Sequence, residues 1–268
     1  MLKDITLGQY FPVNSIIHDL DPRIKIISTL IFMIIVFVAN TVFSFALILA
    51  FTLAVIFLSK IKLINVIKAI KPVLFIVLFT AIINLFLTDG DDILFKWGFL
   101  KITKAGFNAA CIMAARITLL VATTSLLTFT TSPILLTDGI EKLLKPFSKM
   151  GLPAHELAMM MTIALRFIPT LLEETDKIIM AQKARGADFE SGNILNRSKA
   201  LVPILVPLFI SSFRRADELA TAMECRCYRG GEKRTRLREI KIKSKDILAF
   251  FIMIMFSVTI IFLGAINI

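Results

Sequence analysis

Residues 24–58 read IKIISTLIFMIIVFVANTVFSFALILAFTLAVIFL, and this stretch decides the fold class. It consists of two apolar runs, 24–39 and 42–58, which are separated only by Asn40 and Thr41. Lys25 is its single charged residue. A run of about 20 apolar residues crosses the hydrocarbon core of a bilayer as an α-helix. The stretch therefore predicts two membrane-spanning helices joined by a tight turn.

Three further apolar runs continue this pattern along the chain, at 72–87, 105–129 and 247–263. The composition agrees, since 57% of the 268 residues are hydrophobic and the mean hydropathy is +0.81. A soluble domain does not need so many apolar residues to fill one core. We expect an all-α integral membrane protein with about five transmembrane helices and additional long helices in the cytoplasm or along the membrane interface.

The charge pattern predicts how the chain is oriented. The sequence has 31 Lys and Arg residues against 20 Asp and Glu residues, and the basic residues flank the apolar runs. Basic loops stay in the cytoplasm, so we place the lysine-rich stretch 59–71 inside and the charge-balanced stretch 88–104 outside. No nucleic-acid-binding motif accompanies the positive charge, and we expect no nucleic-acid partner.

This orientation divides the chain into three predicted parts. Residues 1–129 form a membrane domain whose cytoplasmic N-terminus precedes four spans, at about 24–39, 42–58, 72–87 and 105–129. Residues 130–245 form a cytoplasmic region. Residues 246–268 form a last transmembrane helix that ends outside.

The cytoplasmic region contains two apolar runs of its own, 154–172 and 201–213. Arg166 and Pro169 interrupt the first run, Pro203 and Pro207 interrupt the second, and each continues into a charged, helix-favouring segment. We predict two long helices that lie partly in the membrane interface, with one side apolar and the other solvated. The alternative, in which both are further spans, remains open.

An internal repeat marks the ends of these two helices. Residues 176–186 read DKIIMAQKARG and residues 217–227 read DELATAMECRC, so that Asp, Ala and Arg recur at one offset of 41 (217−176 = 222−181 = 226−185). Each copy ends in an arginine between small residues, listed here as Ala184, Arg185 and Gly186, and Cys225, Arg226 and Cys227. One such arginine is explained by its favourable interaction with the helix dipole. A matched pair favours docking to a partner that has two equivalent pockets.

Other polar residues invite chemical interpretations that we weigh against structural ones. Arg116 lies in the middle of the fourth span, where we expect it to join helices through Asn84, Asn108, Thr118 or Thr123. The three cysteines, Cys111, Cys225 and Cys227, lack the spacing and the ligand number of a zinc site, so we expect no metal.

The chain resembles the transmembrane T component of energy-coupling factor (ECF) transporters, which are ATP-driven importers of vitamins and transition-metal ions. The paired small–Arg–small motifs carry the resemblance, together with LDPRIK at 20–25 and RFIP at 166–169. It runs over nearly the whole chain in the family's order. One departure is Cys225-Arg226-Cys227, where the family has Ala-Arg-Gly, and we expect Gly230 to supply the turn that ends this helix.

The resemblance implies a non-catalytic scaffold in a bacterial or archaeal cell membrane. Arg185 and Arg226 would each enter a groove on one of two cytoplasmic ABC-type ATPases. ATP would bind to those partners, so that this chain carries no cofactor. One or more substrate-binding membrane subunits would capture a vitamin or a similar micronutrient. To their interface with this chain we assign Met159, Met160, Met161, Arg166 and Met180, because methionine-rich surfaces adapt to several partners.

Two other functions stay open at this point. One is a dedicated cobalt or nickel importer subunit. The other is an intramembrane transferase for lipid-linked substrates, with a metal–diphosphate site at Asp89, Asp91 and Asp92. That chemistry needs a second acidic cluster, and the sequence shows none.

Overall fold

The computed structural model of the chain describes residues 10–88, 92–97, 100–151, 153–187, 189, 194–230 and 242–265. The α-helices within these ranges are α1 Pro22–Val38, α2 Val42–Ser59, α3 Leu63–Ile70, α4 Leu74–Leu87, α5 Lys104–Thr130, α6 Pro133–Leu144, α7 Ala154–Ala184, α8 Ile194–Cys225 and α9 Ser244–Ala265. Short 3-10 turns occupy Lys71–Val73 and Lys145–Met150. The chain is therefore the α-helical membrane protein that the sequence predicts.

One small β-structure interrupts the helices. Strands β1 (Ile93–Trp97) and β2 (Leu100–Thr103) form an antiparallel hairpin, with Trp97 opposite Leu100. It lies in the stretch between α4 and α5, where the charge pattern predicted a loop.

The chain divides into two compact units. Residues 8–139 and 239–268 form the first, which we call the membrane unit, and residues 140–238 fall in the second, together with 1–7. α7 and α8, which lie in the second unit, are called the long-helix pair below.

α5 is the central helix of the membrane unit, because it packs against α1, α2, α3 and α4. α9 packs against α1 and α2. The largest buried cluster between these helices consists of Phe32, Ile35, Val36, Ala39, Phe45, Ile48, Leu119, Met253 and Ile260. By contrast, large side chains such as Phe57 and Phe75 are 74% and 75% exposed. An apolar outer surface of this kind suits a helix bundle that is surrounded by lipid.

Five helices in the described part of the chain are long and apolar enough to cross a membrane: Val42–Ser59, Leu63–Leu87, Lys104–Thr130, Ala154–Ala184 and Ser244–Gly264. Four of them match predicted spans. The remaining predicted span is α1, which has 17 residues and is about 26 Å long at a rise of about 1.5 Å per residue. The fifth helix that is long and apolar enough to span is α7, which is not among the five predicted spans.

The stretch 59–71 contains a helix, α3, which corrects the prediction of a basic loop there. α3 begins at Leu63, and the 3-10 turn at Lys71–Val73 leads directly into α4. Val66 is buried against the cluster that contains Phe129 and Leu126, whereas Lys68 is exposed. The stretch 63–70 is thus an amphipathic helix. The loop prediction considers only the lysines of 59–71 and overlooks this apolar face.

Arg116 of α5 holds the C-terminal end of α1. Its guanidinium donates to the carbonyl oxygens of Val36 at 3.2 Å and Ala39 at 2.9 Å. It also lies over the rings of Phe37 and Phe45. The last carbonyls of a helix have no partner within it, so Arg116 satisfies groups that lipid cannot.

The partners that the sequence predicted for Arg116 are therefore wrong, although its role in joining helices is confirmed. The hydroxyls of Thr118 and Thr123 donate to carbonyls of their own helix, and the Asn84 amide donates to Thr80. Backbone carbonyl acceptors occur at every residue, so the residue pattern cannot identify which of them Arg116 binds.

The residues of the LDPRIK motif connect three segments of the membrane unit. Asp21 accepts from the Arg23 N–H and caps α1. The Lys25 ammonium donates to the carbonyl oxygens of His18 and Thr130, both at 3.0 Å. The motif thus joins the segment before α1 to the C-terminal end of α5.

Asp246 extends this connection to α9. Its carboxylate is buried, accepts from the Asp21 N–H at 2.7 Å and also accepts from the Lys243 N–H at 2.7 Å. The start of the last helix is thereby fixed to the start of the first, 225 residues earlier.

We expect Asp246→Ala to destabilise the membrane unit, because it leaves two backbone donors without acceptors. The Asp21 N–H is buried, and a buried, unsatisfied N–H costs about 1–3 kcal/mol, whereas the Lys243 N–H is only partly buried and costs less. The measurement is the apparent Tm of the purified chain in one detergent. Asp246→Asn keeps one acceptor and should lose less, and Asp92→Ala, an exposed carboxylate, is the control. An unchanged Tm for Asp246→Ala would contradict this role.

Candidate functional site

The long-helix pair packs side by side in antiparallel directions. The Arg215 guanidinium donates to Glu174 Oε2 at 2.6 Å, and the Gln182 amide donates to the Pro203 carbonyl at 3.3 Å. As the contact on α7 advances from 174 to 182, its partner on α8 moves back from 215 to 203. Both helices run unbroken through their internal prolines, Pro169 on α7 and Pro203 and Pro207 on α8.

The contact between Glu174 and Arg215 joins equivalent positions of the internal repeat. The two residues are 41 apart in sequence, which is the offset that relates Arg185 to Arg226. A contact between equivalent residues of two antiparallel helices lies where a local two-fold axis would pass. Both side chains are about two-thirds buried, with 29% and 31% exposed. The ion pair therefore marks the centre of a nearly symmetric arrangement.

Each long helix ends in the same hydrogen-bonded turn. At the end of α7, Gly186 has φ +86, its N–H donates to Lys183, and the Ala187 N–H donates to Gln182. At the end of α8, Cys227 has φ +55, its N–H donates to Glu224, and the Tyr228 N–H donates to Met223. Both are Schellman turns, in which one left-handed residue satisfies the last carbonyls.

The prediction that Gly230 ends α8 is wrong, because Cys227 itself adopts the left-handed conformation. A residue with a Cβ is disfavoured there by roughly 1–2 kcal/mol. Gly230 also has a positive φ, of +85, but it lies beyond the turn. The departure from the family sequence therefore preserves the shape of the helix end.

The two arginines lie at opposite ends of the pair. Each is 11 residues beyond the central ion pair (185−174 = 226−215 = 11), which is about 16 Å along its helix. Both arginines are exposed, as are their neighbours Ala184, Gly186, Cys225 and Cys227. Within the described part of the chain, neither guanidinium has a hydrogen bond or an ion pair. The arrangement offers two equivalent cations, each at a helix end that a Schellman turn closes and each accessible to another protein.

The residues predicted to contact a substrate-binding subunit do not form a single patch. Met159 is half-buried, while Met160, Met161 and Met180 are 55%, 43% and 63% exposed. Arg166 is exposed. Met180 follows Met161 by 19 residues of helix, or about 28 Å, so it belongs to another part of α7.

A larger apolar surface lies on α8, within the apolar run 201–213 for which the sequence predicts one apolar side, although none of its residues is assigned to a partner above. Its members recur at helical spacing and are each 46–69% exposed: Leu201, Val202, Leu205, Val206, Phe209, Ile210 and Phe213. We call this set the α8 stripe. The spacing i, i+1, i+4, i+5 is visible in the sequence and could have identified one continuous face.

The structure brings no metal or catalytic cluster together in the part of the chain that it describes. No group of three His, Cys, Asp or Glu residues there could hold a metal ion. Asp89 and Asp91 of the acidic loop lie outside the described residues, and Asp92 is exposed.

Reversing one charge of the central ion pair should disturb the geometry of the long-helix pair. We expect Glu174→Arg or Arg215→Glu to broaden the distribution of distances between spin labels at Ala184→Cys and Cys225, because two like charges then face each other. The measurement uses a Cys111→Ser, Cys227→Gly background. The double exchange restores opposite charges and should restore the distance.

Arg214→Glu serves as the matched control, since Arg214 is the exposed neighbour outside the ion pair. Single reversals that behave like this control, or a double exchange that fails to restore the distance, would contradict the central role of the pair.

Comparison with known proteins places the chain in a family. Residues 13–237 match the family model CbiQ, described as a cobalt transport protein. The chain is 59% identical to the energy-coupling factor transporter transmembrane protein EcfT of Clostridium kluyveri over 93% of each chain. It is 55% identical to EcfT of Acidaminococcus fermentans over 98% of each chain. EcfT of Bacillus subtilis is 46% identical over 99% of this chain and 100% of its own length. The chain thus belongs to the CbiQ/EcfT family of energy-coupling factor transporter transmembrane proteins.

Proposed function

We propose that this chain is the scaffold through which two cytoplasmic ATPases drive a substrate-binding membrane subunit. The observation that carries the proposal is the pair of equivalent, exposed arginines at the opposite ends of two antiparallel helices. A dipole interaction explains each arginine alone, but it does not require that both ends share one turn and one pair of small neighbours.

Equivalent ends fit equivalent partners. Arg185 and Arg226 each present a planar fork of donors that carries its charge at any physiological pH. Their small neighbours allow a groove to close around the side chain. A dimer of ABC-type ATPases offers two such grooves, one for each helix end.

ATP binds to the partner ATPases, and this chain supplies neither a nucleotide site nor a catalytic residue. Its sequence contains no Gly-rich Lys-Ser/Thr phosphate loop. When ATP draws the ATPases together, the two helix ends move with them. Because α7 and α8 meet at Glu174 and Arg215, this movement turns one helix against the other.

The apolar face of the long-helix pair passes this movement to the substrate-binding subunit. The α8 stripe and the exposed Met160 and Met161 provide the contact surface. Several substrate-binding subunits can share such a surface, because methionine side chains adapt their shape. The subunit then tilts and releases a vitamin or a similar micronutrient into the cytoplasm of a bacterial cell.

A dedicated cobalt or nickel importer is the second candidate, favoured by the description of the matching family as cobalt transport proteins. Uptake of labelled riboflavin and of cobalt by cells that express the chain with its chromosomal neighbours would separate the two. Uptake of cobalt alone would exclude a shared vitamin module.

Replacing the two arginines by glutamate tests the docking role. Removing a buried charged contact at an interface costs about 2–5 kcal/mol, and reversing it costs more. The dipole interaction predicts only about 0.3–1 kcal/mol per site, expressed as lost stability. We expect Arg185→Glu and Arg226→Glu to leave membrane levels normal, to weaken ATPase co-purification and to abolish uptake in the double variant.

Two results would contradict docking: full uptake in the double variant, or loss of the chain from the membrane with unchanged ATPase association per molecule. Cys225→Ala with Cys227→Gly is the control. Glycine favours the left-handed conformation at residue 227, so this variant should keep full uptake.

The proposed orientation places the N-terminus and the long-helix pair in the cytoplasm. We expect a cysteine at Asp92, in a chain without its native cysteines, to react with a membrane-impermeant maleimide from outside intact cells. Cysteines at Lys68 and Ala184, both exposed positions, should react only after the cells are opened. External labelling at Ala184 would overturn the orientation and the ATPase contact together.

A further inference from the structure

The membrane unit contains an apolar cavity that the coupling role does not use. Its volume is about 460 Å³, and it lies among α1, α2, α5, α9 and the segment before α1. Small-molecule sites have volumes of about 300–1,000 Å³, so the space is large enough for a chain-like ligand.

The walls of this cavity offer few free hydrogen-bonding groups to a polar ligand. The hydroxyls of four lining threonines already donate to carbonyls of their own helices: Thr29, Thr52, Thr123 and Thr130. The rest of the wall is mostly aliphatic and aromatic, with Phe32, Phe51 and Met253 among its members. An apolar chain therefore matches it better than water or a hydrophilic solute.

The rim of the cavity is accessible from the side of the helix bundle. Leu58 at the end of α2, and Leu248 and Ile252 in α9, are 50%, 60% and 49% exposed and line the cavity. Each belongs to a helix whose length and composition suit a membrane span. A lipid chain can enter here without crossing water.

The charged residues at the cavity favour a lipid with an anionic head group. The two charged residues that line the cavity in the described part of the chain are Lys25 and Lys245, and no carboxylate lines it there. The Lys25 ammonium is engaged with two carbonyl oxygens, whereas Lys245 is exposed at the start of α9. Basic pockets between transmembrane helices are suited to anionic lipid head groups.

We propose that this cavity binds an acyl chain of an anionic phospholipid, with the phosphate of its head group at Lys245. The lipid then fills the space that is lined by α1, α2, α5 and α9. The site is independent of the arginine ends and of the proposed coupling function.

Photo-crosslinking in nanodiscs tests the site with the full chain. The probe is phosphatidylglycerol that carries a diazirine on one acyl chain, compared with phosphatidylcholine that carries the same chain. We expect labelling of cavity residues such as Thr52, Val55 and Ile252, with about fivefold preference for phosphatidylglycerol, which is the effect of one lysine near the membrane surface.

Two pairs of variants keep the test specific. Lys245→Gln should reduce phosphatidylglycerol labelling to the phosphatidylcholine level, whereas Lys243→Gln, an exposed lysine outside the cavity, should not. Ala249→Phe fills the cavity and should remove labelling of its walls, whereas Ile261→Phe on the outer face of α9 should not.

Equal labelling by both lipids, or labelling that Lys245→Gln leaves unchanged, would overturn the assignment of the head group. Cavity walls labelled no more strongly than the outer face near Ile261, or labelled equally after Ala249→Phe, would reduce the contact to bulk lipid and overturn the site.

Discussion

Hydrocarbon offers no hydrogen-bond partner to a peptide group, and the architecture of the membrane unit follows from this constraint. Within a helix the constraint is met by the backbone itself, so the difficult places are helix ends. Three charged residues of the unit act at such ends. Arg116 binds the last carbonyls of α1, the Lys25 ammonium binds the last turn of α5, and buried Asp246 accepts from backbone N–H groups at the starts of α1 and α9. A charged residue near an apolar segment of this unit thus satisfies the backbone groups at the end of a neighbouring helix.

The long-helix pair solves a different problem, which is how to present two similar ends from one chain. A repeat offset of 41 residues, an antiparallel packing and a contact between equivalent residues together generate a local symmetry. The turn at each end follows the same hydrogen-bond pattern, although glycine provides it once and cysteine provides it the other time. The two ends therefore share one backbone turn, although the residue at the left-handed position differs between them.

The two proposals use different surfaces of the chain and different physics. Docking of the arginine ends depends on charge, on rigid presentation and on small neighbours. The lipid site depends on an apolar volume with lysine at its rim, and it acts within the membrane unit. An integral membrane protein thus contacts both water and lipid. A surface that is exposed in the isolated chain can bind a partner from either environment, here an ATPase or a phospholipid.

The sequence by itself determined the helical membrane class, four of the five helices that can span a membrane, the two long helices and the paired arginines. These features depend on composition and on periodicity along one segment, which any reader of the chain can see. Only the tertiary structure decided the carbonyl partners of Arg116 and the meeting of Glu174 with Arg215. Each of these depends on which backbone groups or side chains a residue meets across space. Residue patterns along one segment hold no record of such meetings, because the partners are tens to hundreds of residues away or are backbone atoms common to every residue type.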